Sequence, residues 1–223
     1  MSKRVLVLVE GQTEERFVKD VLAPVFLKKG LFLFPTLLVT KRVKNGPNFK
    51  GGVTNFAKFK NDVNRLLKNA GNALVTTLLD YNGLPSDFPG MDNRPSGIPI
   101  QRVTHVESAI AKYFEYPPNF LPFLALHEFE ALLFSSSTEL PRVMIETRKT
   151  AKFAEIPRCF DNPEEINEQP ESSPSKRILK LFPAYRKVLH GPVVAQRIGL
   201  SAIRSTCPHF ASWLSMLEQF AES

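Results

Sequence analysis

Residues Arg4 to Phe17 read RVLVLVEGQTEERF. Arg4 to Val9 is a run of valine and leucine without the polar alternation of a half-buried strand. That is the pattern of a parallel strand covered on both faces, and Glu10-Gly11 ends it. A charged residue therefore stands where a buried strand stops. Beyond it, Thr13 is placed to cap a helix whose first turn carries Glu14 and Glu15, and Phe17, Val18, Val21, Leu22 and Val25 give that helix one apolar face. Strand, acid and helix start in this order put Glu10 at the carboxyl edge of an α/β sheet, where open sheets of this kind bind ligands.

The pattern repeats down the chain. Leu31 to Val39 is a second strand, with its regular part expected at Thr36 to Val39 because Pro35 cannot donate to a central ladder. Phe56, Phe59, Val63, Leu66 and Leu67 fall at helical spacing, which favours core positions for the two phenylalanines over stacking on bases. Ala73 to Leu79 is a third apolar run, and it ends on Asp80 in LLDYNGLP. A long proline- and glycine-rich loop, Tyr81 to Pro99, precedes a helix over Arg102 to Phe114. Phe120 to Leu126 is a fourth apolar run and stops at His127-Glu128-Phe129-Glu130. A βαβαβαβ chain with right-handed crossovers folds as a parallel sheet with helices on both faces, so all these strand ends share one edge. From Ser135 onward the signals are helical: Ser175 to Phe182, Pro183 to Leu189, Pro192 to Ile198 and Pro208 to Phe220. The expected organisation is a four-stranded core over residues 1–135 and a helical C-terminal extension over residues 136–223.

The 223 residues carry a net charge of +7. Between Lys41 and Lys68 lie Lys41, Arg42, Lys44, Lys50, Lys58, Lys60, Arg65 and Lys68 against Asp62 alone, an excess as large as the whole net charge. That stripe is expected to face phosphate. Glu155 to Glu171 is the opposite, an acidic stretch with prolines that reads as a solvated loop. No apolar run approaches a membrane span and no signal pattern opens the chain, which implies a cytoplasmic protein. Cys159 and Cys207 belong to no paired motif, so free thiols are expected, and Cys207-Pro208-His209 lacks zinc-spaced partners. Gly11-Gln12-Thr13 follows a strand but lacks the GK[ST] ending of a phosphate loop.

Glu10, Asp80 and the cluster from His127 to Glu130 converge if the sheet forms. Hard divalent cations prefer carboxylate oxygens, and magnesium or manganese held there could polarise a phosphoryl oxygen. The competing role for such acids is capping of helix N-termini, worth roughly 0.3–1 kcal/mol each.

VLVEGQTEERFV followed by LLDYNG resembles the Toprim domain, the metal-binding fold of primases, type II and IA topoisomerases and OLD-type nucleases. EGQTEERFV, LLDYNGLPSDFPG, LHEFEALLFS, SPSKRI and IGLSAIRSTCPHFASWL together resemble the Toprim-like domain-of-unknown-function family 4276, from one end of the chain to the other. The resemblance implies Glu10, Asp80 and Glu128 as catalytic residues and Glu10, Asp80, Asn82, Glu128 and Glu130 around magnesium or manganese. Asn82 stands where Toprim domains usually carry a second aspartate. It further implies a nuclease of bacterial anti-phage defence, encoded beside an ATPase of the ABC or SMC-like type. Lys41, Arg42, Lys44, Lys50, Lys58, His127, Lys176, Arg177 and Arg204 are the candidate nucleic-acid contacts. The alternatives are a non-catalytic module that binds nucleic acid or the ATPase, and a hydrolase of small phosphorylated molecules.

Overall fold

A computed structural model describes residues 2–38, 53–166 and 170–223. Strand β1 (Lys3–Val9) leads into α1 (Gln12–Phe17), a π turn (Val18–Leu22) and α2 (Ala23–Leu27), which run on as one helix. Then come β2 (Leu31–Leu37), α3 (Phe56–Ala70), β3 (Leu74–Asp80), α4 (Pro99–Tyr113), β4 (Phe120–Leu121) and β5 (Leu124–Ala125). A 3-10 segment (Phe129–Ser135) is followed by helices only: α5 (Glu139–Val143), α6 (Thr150–Glu155), α7 (Pro174–Leu181), α8 (Lys187–Ile198), α9 (Leu200–Thr206) and α10 (Pro208–Glu222), with short 3-10 turns between some of them. Among the described residues all strand pairs are parallel, in the order β2-β1-β3-β4, with β5 continuing β4 beside β3. The fold is therefore the expected α/β one, a parallel sheet with a helical C-terminal region.

The sheet separates two cores. Val5, Val7 and Val9 of β1 pack with α1, Phe123, Trp213 and the C-terminal helices, whereas Leu8 of β1 and Val75 and Leu79 of β3 pack with α3 and α4. Both faces of β1 and β3 are thus covered, which explains their unbroken apolar sequences.

Four local expectations change. Strand β2 runs through Pro35. Leu38 donates its N–H to the Val9 carbonyl, and parallel alternation then turns Leu31, Leu33, Pro35 and Leu37 toward the side away from β1. The missing N–H of Pro35 therefore interrupts no pairing with β1, so β2 begins earlier than Thr36. In the first helix Gly11, not Thr13, is the N-cap, and the π turn advances the buried stripe by one residue. Phe26 is buried while Val25 is 37% exposed. Pro24 removes the donor that would bond the Asp20 carbonyl, a local cause for the widened turn. The fourth strand is broken at Pro122 into β4 and β5. Threonine side chains take over there: Thr76 Oγ1 donates to the Leu121 carbonyl (2.6 Å), and Thr77 Oγ1 donates to the Phe123 carbonyl (2.6 Å) and accepts its N–H (2.8 Å). Finally, α8 continues through Pro192 in one helix. The carbonyl that Pro192 cannot serve is that of Val188, and it accepts Arg16 Nη1 at 2.8 Å.

The acidic stretch is not wholly solvated. Glu164 is buried and accepts the N–H groups of His209 (2.8 Å) and Phe210 (3.0 Å), so one carboxylate caps the start of α10. Glu164→Ala is expected to lower stability by about 2 kcal/mol, because it orphans two buried donors; urea titration measures this. Cys207 and His209 are both buried, the thiol pushed up to about 12 by burial. Cys159 is exposed, and both thiols are free. Among the described residues no helix is long and apolar enough to cross a membrane.

Candidate functional site

Parallel pairing brings the ends of β1 and β3 side by side. Glu10 Oε2 accepts the Asp80 N–H at 3.0 Å, so the two strand-end acids are joined through backbone rather than held apart. Asp80 Oδ1 accepts the Phe129 N–H at 2.8 Å, which fixes the start of the 3-10 segment and sets Glu130 beside it. From the other layer, α8 delivers Lys187. Its ammonium lies 3.1 Å from Asp80 Oδ2, 3.1 Å from Glu130 Oε2 and 3.5 Å from Glu14 Oε1.

The approach of α8 to α1 depends on Gly191. A Cβ there would stand 3.1 Å from the Phe129 ring, 3.1 Å from the Tyr185 hydroxyl and 3.5 Å from Thr13 Cγ2. Glycine inside a helix costs up to about 1 kcal/mol against alanine, and here it allows the contact that places Lys187 over Glu14.

Glu14 is 3% exposed, Glu130 0% and Asp80 9%. Burial pushes the Glu10 carboxyl up to about 8, with the charges of Asp80 and Glu14 adding and the Asp80 N–H opposing. Burial likewise raises Glu130 to about 7, against the pull of Lys187, and raises Glu14, with Asp80 adding. Lys187 is raised as well, which for an ammonium favours the charged form. Burial alone would lower it, but Asp80, Glu130 and Glu14 outweigh burial and hold the ammonium charged. If all four carboxylates ionise, four negative charges face one positive. Apart from Lys187, neither Glu130 oxygen has a hydrogen-bond partner among the described residues.

The Tyr185 hydroxyl is a further orphan. It is buried and without a hydrogen-bond partner among the described residues, and burial together with Glu130 drives its pKa upward. A buried hydroxyl left unpaired costs about 1–3 kcal/mol. Tyr185→Phe is therefore expected to raise the melting temperature by a few degrees, read by calorimetry. A fall would mean that the hydroxyl is bonded in the folded protein.

The description Domain of unknown function (DUF4276) belongs to a family model that matches residues 9–218. The chain belongs to that family. The DUF4276 match begins one residue before Glu10 and takes in Glu14, Asp80, Glu130 and Lys187. A search of curated proteins finds no match. Among solved structures, the chain is similar to the C-terminal region of the Xanthomonas campestris pv. campestris OLD protein, at 16% identity, over 96% of this chain and 97% of that one, with a TM-score of 0.38. That likeness is too low to carry an argument about function.

Within the DUF4276 chain, Glu10, Asp80 and Glu130 come together as the strand-end pattern anticipates. Glu128 is spent differently. Its Oε2 accepts the Ser175 N–H at 2.9 Å and so caps α7, the competing role of such acids. Asn82 gives its N–H to the His127 carbonyl and leaves its side chain half-buried. His127 has φ 67° and a buried Nε2 without a partner among the described residues. Burial, and then Arg102, lowers it to about 4, so it is neutral at pH 7 and adds no positive charge for phosphate.

The candidate nucleic-acid contacts are dispersed. Lys41, Arg42, Lys44 and Lys50 lie outside the described residues. Lys58, in the first turn of α3, donates to Thr54 Oγ1 at 3.1 Å. Lys176 and Arg177 follow Ser175 at the start of α7, next to Glu128. Arg204 is elsewhere: it pairs with Glu218 at 2.7 Å, which also pairs with Lys29 just ahead of β2, at the amino edge of the sheet. Glu14 and Lys187 are the site residues that sequence reasoning missed. Glu14 looks like an ordinary first-turn acid. For Lys187 the available signal was Gly191-Pro192, a pair that should break a helix and here marks a close approach.

Among the described residues no three His, Cys, Asp or Glu side chains are gathered as a ready metal cage. The donor set nevertheless fits a hard divalent cation. It is all carboxylate oxygen, buried, and in excess of its one resident positive charge.

Proposed function

We propose that this protein is a magnesium- or manganese-dependent nuclease of Toprim type that hydrolyses phosphodiester bonds in nucleic acid. The observation that carries the reading is a group of carboxylates at the carboxyl edge of a parallel sheet: Glu14, Asp80 and Glu130 share the Lys187 ammonium, and Glu10 joins them through the Asp80 N–H. Structural ion pairs rarely leave carboxylates in such excess, because burying unpaired charge is costly. Glu10, Glu14, Asp80 and Glu130 would hold the ion. When bound, it would supply Lewis-acid polarisation of a phosphoryl oxygen and a more acidic water.

The chain's own residues divide the remaining work. Burial sets the Glu10 carboxyl at about 8; a bound ion would draw it toward its charged form, so that Glu10 serves as ligand or general base. Lys187 orients Asp80 and Glu130 through its two 3.1 Å contacts and carries positive charge toward an incoming phosphate. Asp80 is fixed from its other oxygen by Phe129 N–H and has little freedom to turn away. Tyr185 presents a spare donor from the buried side. An ATPase partner of the ABC or SMC-like type and a role in anti-phage defence belong to the same proposal and rest on the motif resemblance alone.

The test is cleavage of labelled single- and double-stranded DNA and RNA with manganese and after chelation, alongside the melting temperature in a manganese titration. Metal-dependent cleavage with an upward thermal shift supports the reading. No shift at millimolar metal and no cleavage would leave the second reading, a binding module without chemistry. Two observations favour that second reading: Asn82 in place of a second aspartate, and an ammonium already among the carboxylates.

A further inference from the structure

The helical C-terminal region contains a groove of about 390 Å³ between α6 and α7. Lys152 projects from one wall and Lys176, Arg177 and Lys180 from the other, over a floor that includes Ile156 and Leu181. Glu155 and Glu171 also line it, yet Lys152, Lys176 and Lys180 make no ion pair or side-chain hydrogen bond among the described residues. Cations nearby behave differently. Arg142 and Arg197 both engage Glu139, and Lys149 engages Glu146. Among the described residues the groove therefore keeps three ammonium groups without an ion partner although acids are at hand. Its fourth cation is held rigid: Arg177 Nε donates to the Ser172 carbonyl at 2.6 Å and its guanidinium lies over the Phe160 ring at 5.4 Å.

The start of α7 links the groove to the segment that carries the edge carboxylates. Glu128, two residues from Glu130, caps α7 at Ser175, and the next residue is Lys176. From there Lys176 and Lys180 are one helical turn apart, about 6 Å along the axis, close to the separation of successive phosphates in an extended strand. An apolar floor beneath spaced cations suits a sugar-phosphate chain better than an acidic peptide, whose carboxylates alternate sides.

We propose that this groove carries a single nucleic-acid strand away from the carboxylate edge, its phosphates neutralised by Lys152, Lys176 and Lys180. The proposal rests on the nuclease reading for its direction and adds to it the path of the strand beyond the carboxylate edge.

Binding can be measured without chemistry, by fluorescence anisotropy of labelled single-stranded oligonucleotides in EDTA. Lys152→Glu/Lys180→Glu is expected to weaken binding of a strand of about 15 nucleotides by about tenfold or more at low salt. It should also reduce the slope of log affinity against log salt by about 1.4, the share of two single-strand phosphates. Lys28→Glu/Lys112→Glu makes the same change in net charge away from the groove and is expected to cost less than about threefold. Lys152→Ala/Lys180→Ala should weaken binding in the same direction by less. Equal weakening by the control pair, or none by the groove pair, overturns the proposal. So does displacement of the strand by a glutamate polymer at matched charge, which would assign the groove to an acidic protein. The two readings fail separately: loss of cleavage with groove-dependent binding intact counts against the nuclease alone, and groove-independent binding with cleavage intact counts against the groove alone.

Discussion

Lys187→Met should melt far below the parent at pH 8 in EDTA and recover when manganese is added. Its ammonium is the positive charge within 3.5 Å of Glu14, Asp80 and Glu130, and methionine keeps most of its stem while removing that charge. Breaking a buried ion pair from one side costs about 3–5 kcal/mol, since the partner charge stays buried. The Lys187 side chain is itself 36% exposed, so solvent screening places the expected cost in the lower part of that range. The effect has a sign in pH. Protonation neutralises the stranded carboxylates, so the variant's deficit should shrink toward pH 5 and grow through the region near 7 where Glu130 titrates. Denaturant titrations at pH 5 and pH 8, each with chelator and with manganese, measure all four conditions. A deficit indifferent to both pH and metal would mean that the ammonium is not what balances these acids.

Glu10→Gln is expected to move stability and activity in opposite directions. The Glu10 carboxyl rises from 4.5 to about 8, so between those values the folded protein keeps a proton that the unfolded chain releases. A raised acid pKa favours the folded state below 4.5 and loses that advantage as pH climbs to about 8, by up to about 1.4 kcal/mol per unit. Glutamine does not titrate and can still accept the Asp80 N–H, so the variant should match or exceed the parent at pH 8. Cleavage should fall by about a thousandfold or more, and the manganese-induced thermal shift should shrink. Asp80→Asn is a less clean probe: Asp80 uses one oxygen for Phe129 N–H and the other for Lys187, and an amide cannot do both. Full activity in Glu10→Gln would remove Glu10 from the mechanism.

The parts of this site visible in the sequence are those written on strands. Glu10 and Asp80 each end an unbroken apolar run, and parallel topology then makes them neighbours whatever lies between. Glu130 follows the same logic at the end of the fourth strand, even though Pro122 splits that strand and threonine hydroxyls repair it. Helical contributions were hidden because a helix reveals its face but not its neighbour. Glu14 lies on the α1 side that α8 covers, and Lys187 reaches it only because Gly191 lets the two helices touch. Glu164 shows the reverse error. An acidic neighbourhood suggested solvent, while its carboxylate was needed by two N–H groups at the start of α10. The basic stripe was legible as charge, but charge along a chain does not say which surface it faces.

Strand β2 reads LFLFPTL, seven residues without a charge, on the side of the sheet away from β3. Phe32 and Phe34 are 39% and 46% exposed there. Short uncharged segments of high β-propensity are the kind that stack into intermolecular zippers, and the usual safeguard is a proline or a flanking lysine. Pro35 sits with its ring toward the side away from β1, where the N–H of any other residue would invite another chain. Pro35 thus withholds one amide from the outer margin of the sheet, and Pro35→Val is expected to raise light scattering at high protein concentration.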